Sequence, residues 1–228
     1  MPGVSAIVFG AKSLTKEEIN HKKIIDVGAY DFNGSIRPII ESWQPSEYIG
    51  VDIIPGPNVD LVCSADDLVE KFGENSFDVV LCLEMLEHSR YYKRSISNLK
   101  NVCKPDGIIL LTTRSYGYPC HGFPNDFWRF EAQDLENIFS DCKILALEND
   151  YQAPGIFIKV QKPVDFVEKD LQDYELYSLV TNTAIKTIEE KDFQSAYFKR
   201  LGWKQKLRGL AYQYILGSGK VVSQLLKI

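Results

Sequence analysis

Carboxylates, histidines and an arginine gather at three places in this chain where acid–base or cation chemistry could be done. The segment Cys-Leu-Glu-Met-Leu-Glu-His, Cys82 to His88, leaves an apolar run and begins to turn. Wound as a helix from Glu84, it puts Glu84, Glu87 and His88 on one face by i, i+3 and i+4 spacing. Two carboxylates and an imidazole suit Mg²⁺ or Mn²⁺. Farther on, His121, Asp126 and Arg129 share one loop. A histidine close to an aspartate can take a proton from a hydroxyl, and an arginine can clamp a carboxylate or phosphate. The spacing of Asp126 and Arg129 also suits a plain ion pair. His88 and His121 are the candidate bases.

The third place is a pair of aspartates. Asp26 opens the loop Asp-Val-Gly-Ala-Tyr-Asp-Phe-Asn-Gly, residues 26–34, directly after the run Lys23-Ile24-Ile25. A dinucleotide loop needs Gly-x-Gly-x-x-Gly so that backbone can press against a pyrophosphate, yet Tyr30 and Phe32 stand where small residues belong. Gly28 permits the tight turn and Gly34 close backbone approach. Asp52 follows 24 residues beyond Gly28, where an acid can accept both ribose hydroxyl protons. Asp26 and Asp52 repel phosphate and welcome a sugar and a cation. The ligand that fits is a nucleoside bearing positive charge, S-adenosylmethionine, and the missing glycines argue against a nicotinamide cofactor.

These residues must be positioned by a scaffold, and β-branched apolar runs supply it. Strands are predicted at Lys23 to Val27, Tyr48 to Ile53, Val59 to Cys63, Phe77 to Leu83 and Ile108 to Thr113. Helices alternate with them at Ser35 to Trp43, Ala65 to Phe72, Tyr91 to Cys103 and Ala132 to Phe139. That alternation predicts an α/β fold, a parallel sheet with helices on both faces. Lys143 to Glu148 and Ile156 to Gln161 then pair as an antiparallel hairpin at one edge, because Asn149 to Gly155 reads as a loop. Ligands of such sheets sit beyond the carboxyl ends of the strands.

Together these blocks resemble a class I S-adenosylmethionine-dependent methyltransferase, of the methyltransferase type 11 kind. The carriers are Asp-Val-Gly-Ala-Tyr-Asp at 26–31, Gly-Val-Asp at 50–52, Ser-Phe-Asp-Val-Val at 76–80, Leu-Glu-Met-Leu-Glu-His at 83–88 and Lys-Pro-Asp-Gly at 104–107. The resemblance implies a Rossmann-like seven-stranded sheet with an antiparallel last strand. It implies that Asp26, Gly28 and Ala29 hold the methionine part of the cofactor and Asp52 the ribose. Ser64, Ala65 and Asp66 then border the adenine, and Leu83 completes the set. The Glu-x-x-Glu-His segment is similar to that of ubiquinone-pathway O-methyltransferases, where it holds a divalent ion. Metal-free members carry a similar Leu-Glu-His turn that only lines the cofactor pocket, and a metal-free site is the favoured expectation.

The expected domains are residues 1–162, the methyltransferase, and 163–228, a helical extension. Arg114 to Phe130 holds six aromatics in 17 positions against 12% for the chain, so it reads either as an acceptor wall over the sheet or as a satellite hydrophobic cluster. Five scattered cysteines with no Cys-x-x-Cys pair read as reduced thiols. The apolar run Val4 to Gly10 is too short for a membrane span, and the protein is expected in the cytoplasm. After Asp192 no acid occurs while seven cations follow, so the net charge of −5 conceals an acidic body and a basic tail. An acidic catalytic body disfavours nucleic acid, and the expected acceptor is an oxygen on a small, lipid-linked or glycan-linked molecule. The alternative function is a non-catalytic cofactor-binding or interaction domain. In the tail, a helix over Trp203 to Tyr214 places Trp203, Leu207, Leu210, Ala211 and Tyr214 on one stripe bordered by Lys204, Arg208 and Lys206. Such a stripe either docks on the body or a second subunit, the preferred expectation, or makes a peripheral membrane contact.

Overall fold

The β-branched runs become a sheet whose alternate residues feed two separate cores. The computed structural model describes residues 3–32 and 34–225, with side chains of the last helix as far as residue 211. Two helices, α1 (Val4–Ser13) and α2 (Lys16–Ile19), precede β1 (Lys23–Val27), α3 (Arg37–Ser42), β2 (Glu47–Asp52) and β3 (Leu61–Val62). Next come α4 (Leu68–Phe72), β4 (Phe77–Leu83), α5 (Tyr92–Val102) and β5 (Cys103–Arg114). Then follow β6 (Trp128–Arg129), α6 (Ala132–Ile138), β7 (Lys143–Asn149), β8 (Gly155–Gln161), β9 (Leu176–Ser178), β10 (Thr183–Ile185) and α7 (Ala196–Leu225). The main sheet has seven strands in the order β3-β2-β1-β4-β5-β8-β7, with β8 antiparallel to both neighbours. The chain thus has the Rossmann-like architecture of the resemblance, ending in a helix.

Period-two alternation explains the two layers. Ile24, Val79, Leu81 and Leu110 point to one side, beneath Phe9 of α1, Ile19 of α2 and Ile40 of α3. Ile25, Val80, Cys82 and Leu111 point to the other, beneath Leu68, Ile96, Leu99 and Leu135 of α4, α5 and α6. The apolar run at Val4 to Gly10, given no element from sequence, is helix α1. Its Gly10 fits because a Cβ there would stand 2.3 Å from Ile36 Cδ1. β5 starts five residues earlier than expected, at Cys103, since Lys104 to Gly107 forms a bulge between the pairs Phe77–Cys103 and Val79–Ile108.

The expectation of an all-helical extension over residues 163–228 needs correction. Residues 176–185 form the hairpin β9–β10, and β9 also pairs with β6, giving a second sheet in the order β10-β9-β6. Strands of two or three residues carry too little pattern to be seen in sequence, and the partner lies about 50 residues upstream. The tail stripe does not dock on the body either: Trp203, Leu207 and Leu210 are 68%, 62% and 60% exposed. A different face of α7 docks, through Phe198 stacked on Phe123 at 4.9 Å and Gly202 closing on the Phe123 ring. Tyr214 of the expected stripe lies outside the described side chains.

Trp128 fastens the aromatic segment to the sheet. Its ring is buried against Tyr92 at 4.7 Å, and its Nε1–H donates to the Ser89 carbonyl at 3.0 Å. Both partners belong to the stretch that follows β4. Replacing Trp128 by alanine removes this anchor and leaves a cavity, and should lower the free energy of unfolding in urea by about 3 to 5 kcal/mol.

Candidate functional site

The carboxyl ends of β1, β2 and β4 open into a cavity of about 480 Å³. Gly28 forms its floor at φ +84°, and a Cβ there would stand 2.6 Å from the Met85 Cβ, so backbone conformation and space both require glycine. Asp52, ending β2, is fixed by two backbone donors: Tyr30 N–H reaches Oδ2 at 3.2 Å and Ile54 N–H reaches Oδ1 at 3.2 Å. Asp31 closes the loop, accepting from Gly34 N–H at 2.7 Å and from Asn58 Nδ2 at 3.2 Å. Tyr30 and Phe32 stack at 4.1 Å, and Gly56 leaves room for the Tyr30 ring. Where a dinucleotide loop would have bare backbone, this one carries an aromatic wall.

Ser64, Ala65 and Asp66 line the same cavity as a single 3₁₀ turn. Ser64 Oγ accepts from Asp66 N–H at 3.2 Å, and Ser95 Oγ donates to Asp66 Oδ1 at 2.5 Å. Asp26, Ala29 and Leu83 do not reach this cavity. They bound a recess of about 10 Å³ behind Gly28. Asp26 is 4% exposed and accepts from the Tyr48 hydroxyl at 2.7 Å. Burial pushes its carboxyl up to about 6, against the opposing pull of the Tyr48 hydrogen bond and the Arg37 charge.

The expected shared face of Glu84, Glu87 and His88 is not formed. Glu84 sits at φ +54°, before the 3₁₀ turn Leu86–His88, and its carboxylate pairs with the buried Arg114, which in turn meets Asp150 at 2.9 Å. Burial, with Glu87 nearby, pushes the Glu84 carboxyl up to about 8 despite Arg114. His121 takes the place foreseen for Glu84. Glu87 is fully buried: its Oε2 accepts from Thr113 Oγ1 at 2.9 Å, while Oε1 lies 3.7 Å from His121 Nε2 and 4.0 Å from His88 Nε2. Burial alone would raise Glu87, but the two histidines outweigh it and hold the carboxyl below its ordinary range.

His88 Nδ1–H donates to the Asn125 carbonyl at 2.6 Å, and its Nε2 lies 3.1 Å from His121 Nε2. His121 Nδ1 lies 3.0 Å from Asp126 Oδ2. Burial disfavours charge on His121, yet Asp126 and Glu87 prevail and raise its imidazole to about 9. Asp126 is held well below the carboxylate range because Arg129 and His121 overcome its burial. The clamp foreseen for Arg129 is not available to a ligand: Nη1 and Nη2 bind Asp126 at 2.6 and 2.8 Å, and other donors reach the Tyr118, Pro119 and Trp128 carbonyls. Asp126 and Arg129 therefore position His121 from behind. Glu87, His88 and His121 each offer one ligand atom, all within 4.8 Å of one another.

Ile53, Ile54, Asn125 and Thr113 complete the surroundings and were not foreseen. Ile53 and Ile54 had a signal, an apolar pair directly after a strand-ending aspartate, and they stand 70% and 46% exposed at the cavity. Asn125 acts through its backbone carbonyl, which no residue type reveals.

Because the Asp26 carboxyl is raised in the folded protein, its contribution to stability is complete below about pH 4 and is lost as pH climbs through about 6. Tyr48→Phe removes the hydroxyl that stabilises the ionised form. The variant should lose about 1 to 3 kcal/mol at pH 8 and clearly less at pH 5, read by urea unfolding at the two pH values.

A family model described as a methyltransferase domain matches residues 11–153. No curated protein sequence matches the chain. Among solved structures, the Burkholderia thailandensis 1,6-didemethyltoxoflavin N1-methyltransferase with bound S-adenosylhomocysteine has a TM-score of 0.57 at 15% identity, covering 69% of this chain and 78% of that one. An S-adenosylmethionine-dependent methyltransferase from Mesorhizobium loti has a TM-score of 0.53 at 15% identity, covering 69% and 98%. The cyclase SpnF has a TM-score of 0.54 at 16% identity, covering 69% and 80%.

Proposed function

Since the chain belongs to the methyltransferase-domain family, we propose that its main cavity binds S-adenosylmethionine and that the protein passes the methyl group to an oxygen of a small, lipid-linked or glycan-linked acceptor. The observation that carries this reading is Asp52, a carboxylate already oriented by two backbone amides at the cavity mouth, as a ribose diol requires. Gly28 and its aromatic neighbours would take the methionine part, with Asp26 buried behind them. The 3₁₀ turn Ser64 to Asp66 would border the adenine. The sulfonium is already a strong electrophile, so the protein's share is position, dryness and removal of one proton.

His88 and His121 are placed for that proton. Their Nε2 atoms stand 3.1 Å apart, and the His88 ring lines the main cavity, where an acceptor hydroxyl would lie. Glu87 and Asp126 supply the compensating negative charge. Asp126 and Arg129 keep the His121 ring in register.

One observation favours a second reading. Glu87 Oε1 is buried without a hydrogen-bond donor in range and faces both imidazole nitrogens. A carboxylate oxygen with two nitrogens suits a divalent cation, and each of the three residues has a second partner that sets its orientation, namely Thr113, the Asn125 carbonyl and Asp126. When bound there, such an ion supplies Lewis acidity toward an acceptor hydroxyl.

Calorimetric titration with S-adenosylmethionine tests the assignment. The protein should bind it and its demethylated product but not NAD, and Asp52→Ala should cost about 1.5 to 3 kcal/mol of cofactor affinity. Unchanged affinity in Asp52→Ala would falsify the ribose role, and cofactor binding with no turnover on any hydroxyl acceptor would leave the non-catalytic alternative. The two proton-side readings separate in a titration with Mn²⁺ or Zn²⁺ after chelator treatment. On the histidine reading neither ion binds stoichiometrically. On the cation reading one ion binds, and His88→Ala and His121→Ala each weaken it by roughly 10- to 100-fold or more.

A further inference from the structure

The residues Cys120, His121 and Gly122 form a partition with a cavity on either side. Gly122 lines the main cavity, whereas Cys120 lines a second one of about 310 Å³. This second cavity is built from four segments: the loop Tyr116 to Cys120, Arg129 of β6, the hairpin β9–β10 and the first turns of α7. It shares no lining residue with the first.

Its chemistry is one-sided. Among the described residues no carboxylate lines it, although the protein as a whole carries a net charge of −5. Three cations do line it, Arg129, Lys204 and Arg208. Arg129 is neutralised by Asp126 at its back. Lys204 and Arg208 lie one helical turn apart on the side of α7 that also carries Tyr197 and Leu201, and they form no ion pair among the described residues.

The remaining wall is aromatic and fixed. Tyr116 stands edge-on to Tyr177 with ring centroids 5.0 Å apart. The Tyr177 and Tyr197 hydroxyls both donate to Asn182 Oδ1, at 2.7 and 3.1 Å. Asn182 is itself held in the left-handed conformation of the hairpin turn, φ +61°, with its N–H on the Ser178 carbonyl at 2.8 Å. A three-tyrosine corner tied by one amide and facing two unneutralised cations is ordered before any ligand arrives.

We propose that this second cavity is a binding site for a sugar phosphate, with Lys204 and Arg208 holding the phosphate and the tyrosine corner covering the sugar ring. A guanidinium and an ammonium on one side match a phosphate monoester in charge and geometry. Tyrosine presents an apolar face to the ring C–H groups and a hydroxyl edge to its alcohols. The site is separate from the cofactor cavity and does not rest on the methyl-transfer reading.

The test is a calorimetric titration of the full chain with a hexose 1-phosphate, the free hexose and inorganic phosphate. The hexose phosphate should bind saturably and roughly tenfold or more tighter than either fragment, because both halves of the site are engaged. Lys204→Gln combined with Arg208→Gln should weaken hexose phosphate binding by roughly tenfold or more. Tyr116→Ala should weaken the hexose phosphate and leave inorganic phosphate unchanged. These three positions are exposed or at the cavity rim, and thermal unfolding by circular dichroism checks that each variant folds. Absence of hexose phosphate binding by a folded protein overturns the proposal, as does equal affinity in the double variant. Co-sedimentation with anionic vesicles that depends on Lys204 and Arg208, without hexose phosphate binding, also overturns it and assigns the basic pair to a lipid surface.

Discussion

Four carboxylates buried along one edge of the sheet, Asp26, Glu84, Glu87 and Asp126, are the constraint around which this structure is arranged, being 4%, 2%, 0% and 2% exposed. A charge taken out of water is tolerated only with partners at hydrogen-bond distance. Asp26, Glu84 and Glu87 have recruited partners from distant parts of the chain, whereas Asp126 is held within its own loop. Asp26 has Tyr48 of the next strand, Glu84 has Arg114 at the end of β5, Glu87 has Thr113 and the two histidines, and Asp126 has Arg129 and His121. The loops at the carboxyl ends of the strands are therefore tied to one another by their own charges.

That tying makes a wall out of the aromatic segment. Arg114 to Phe130 is half core and half surface: Phe127, Trp128 and Phe130 are buried, while Tyr116 is 66% exposed and Tyr118 faces the second cavity. The end of the segment packs on α5 as a hydrophobic cluster, while its start is left to solvent. Because β6 also seeds the small sheet with β9 and β10, the C-terminal residues are continuous with this wall. The basic side chains Lys204 and Arg208 and the imidazole of His88 thus line cavities on either side of one partition.

The fold by itself leaves the chemistry open, since the same architecture serves an N-methyltransferase and a cyclase among the similar structures. What distinguishes this chain is local. Tyr30 and Phe32 replace the glycines of a dinucleotide loop, and Asp52 is oriented in advance. Two imidazoles share a buried carboxylate, whose second oxygen is taken by Thr113. These are features of side-chain placement and electrostatics.

The sequence by itself determined what depends on local pattern. Strands β1 and β4 were legible to the residue, because β-branched runs buried on both faces leave no other periodicity. The place of Asp52 followed from the same reasoning, with β2 one residue out at each end, as did α3 to α6, whereas α1 and α2, which also cover the sheet, did not. Apart from the Asp126–Arg129 ion pair, which its spacing already suited, tertiary structure decided which charged groups meet. Glu84 and Glu87 are three residues apart, yet the left-handed backbone at Glu84 sends one carboxylate to Arg114 and the other to His121. His121 joins His88 only because Asp126, locked by Arg129, holds its ring there. Strands β9 and β10 were invisible for a related reason: a strand of three residues is stabilised by its partners and not by its own pattern. Pattern reports which face of an element is buried, whereas the pairing of buried charges depends on contacts between residues tens of positions apart, which spacing along the chain does not encode.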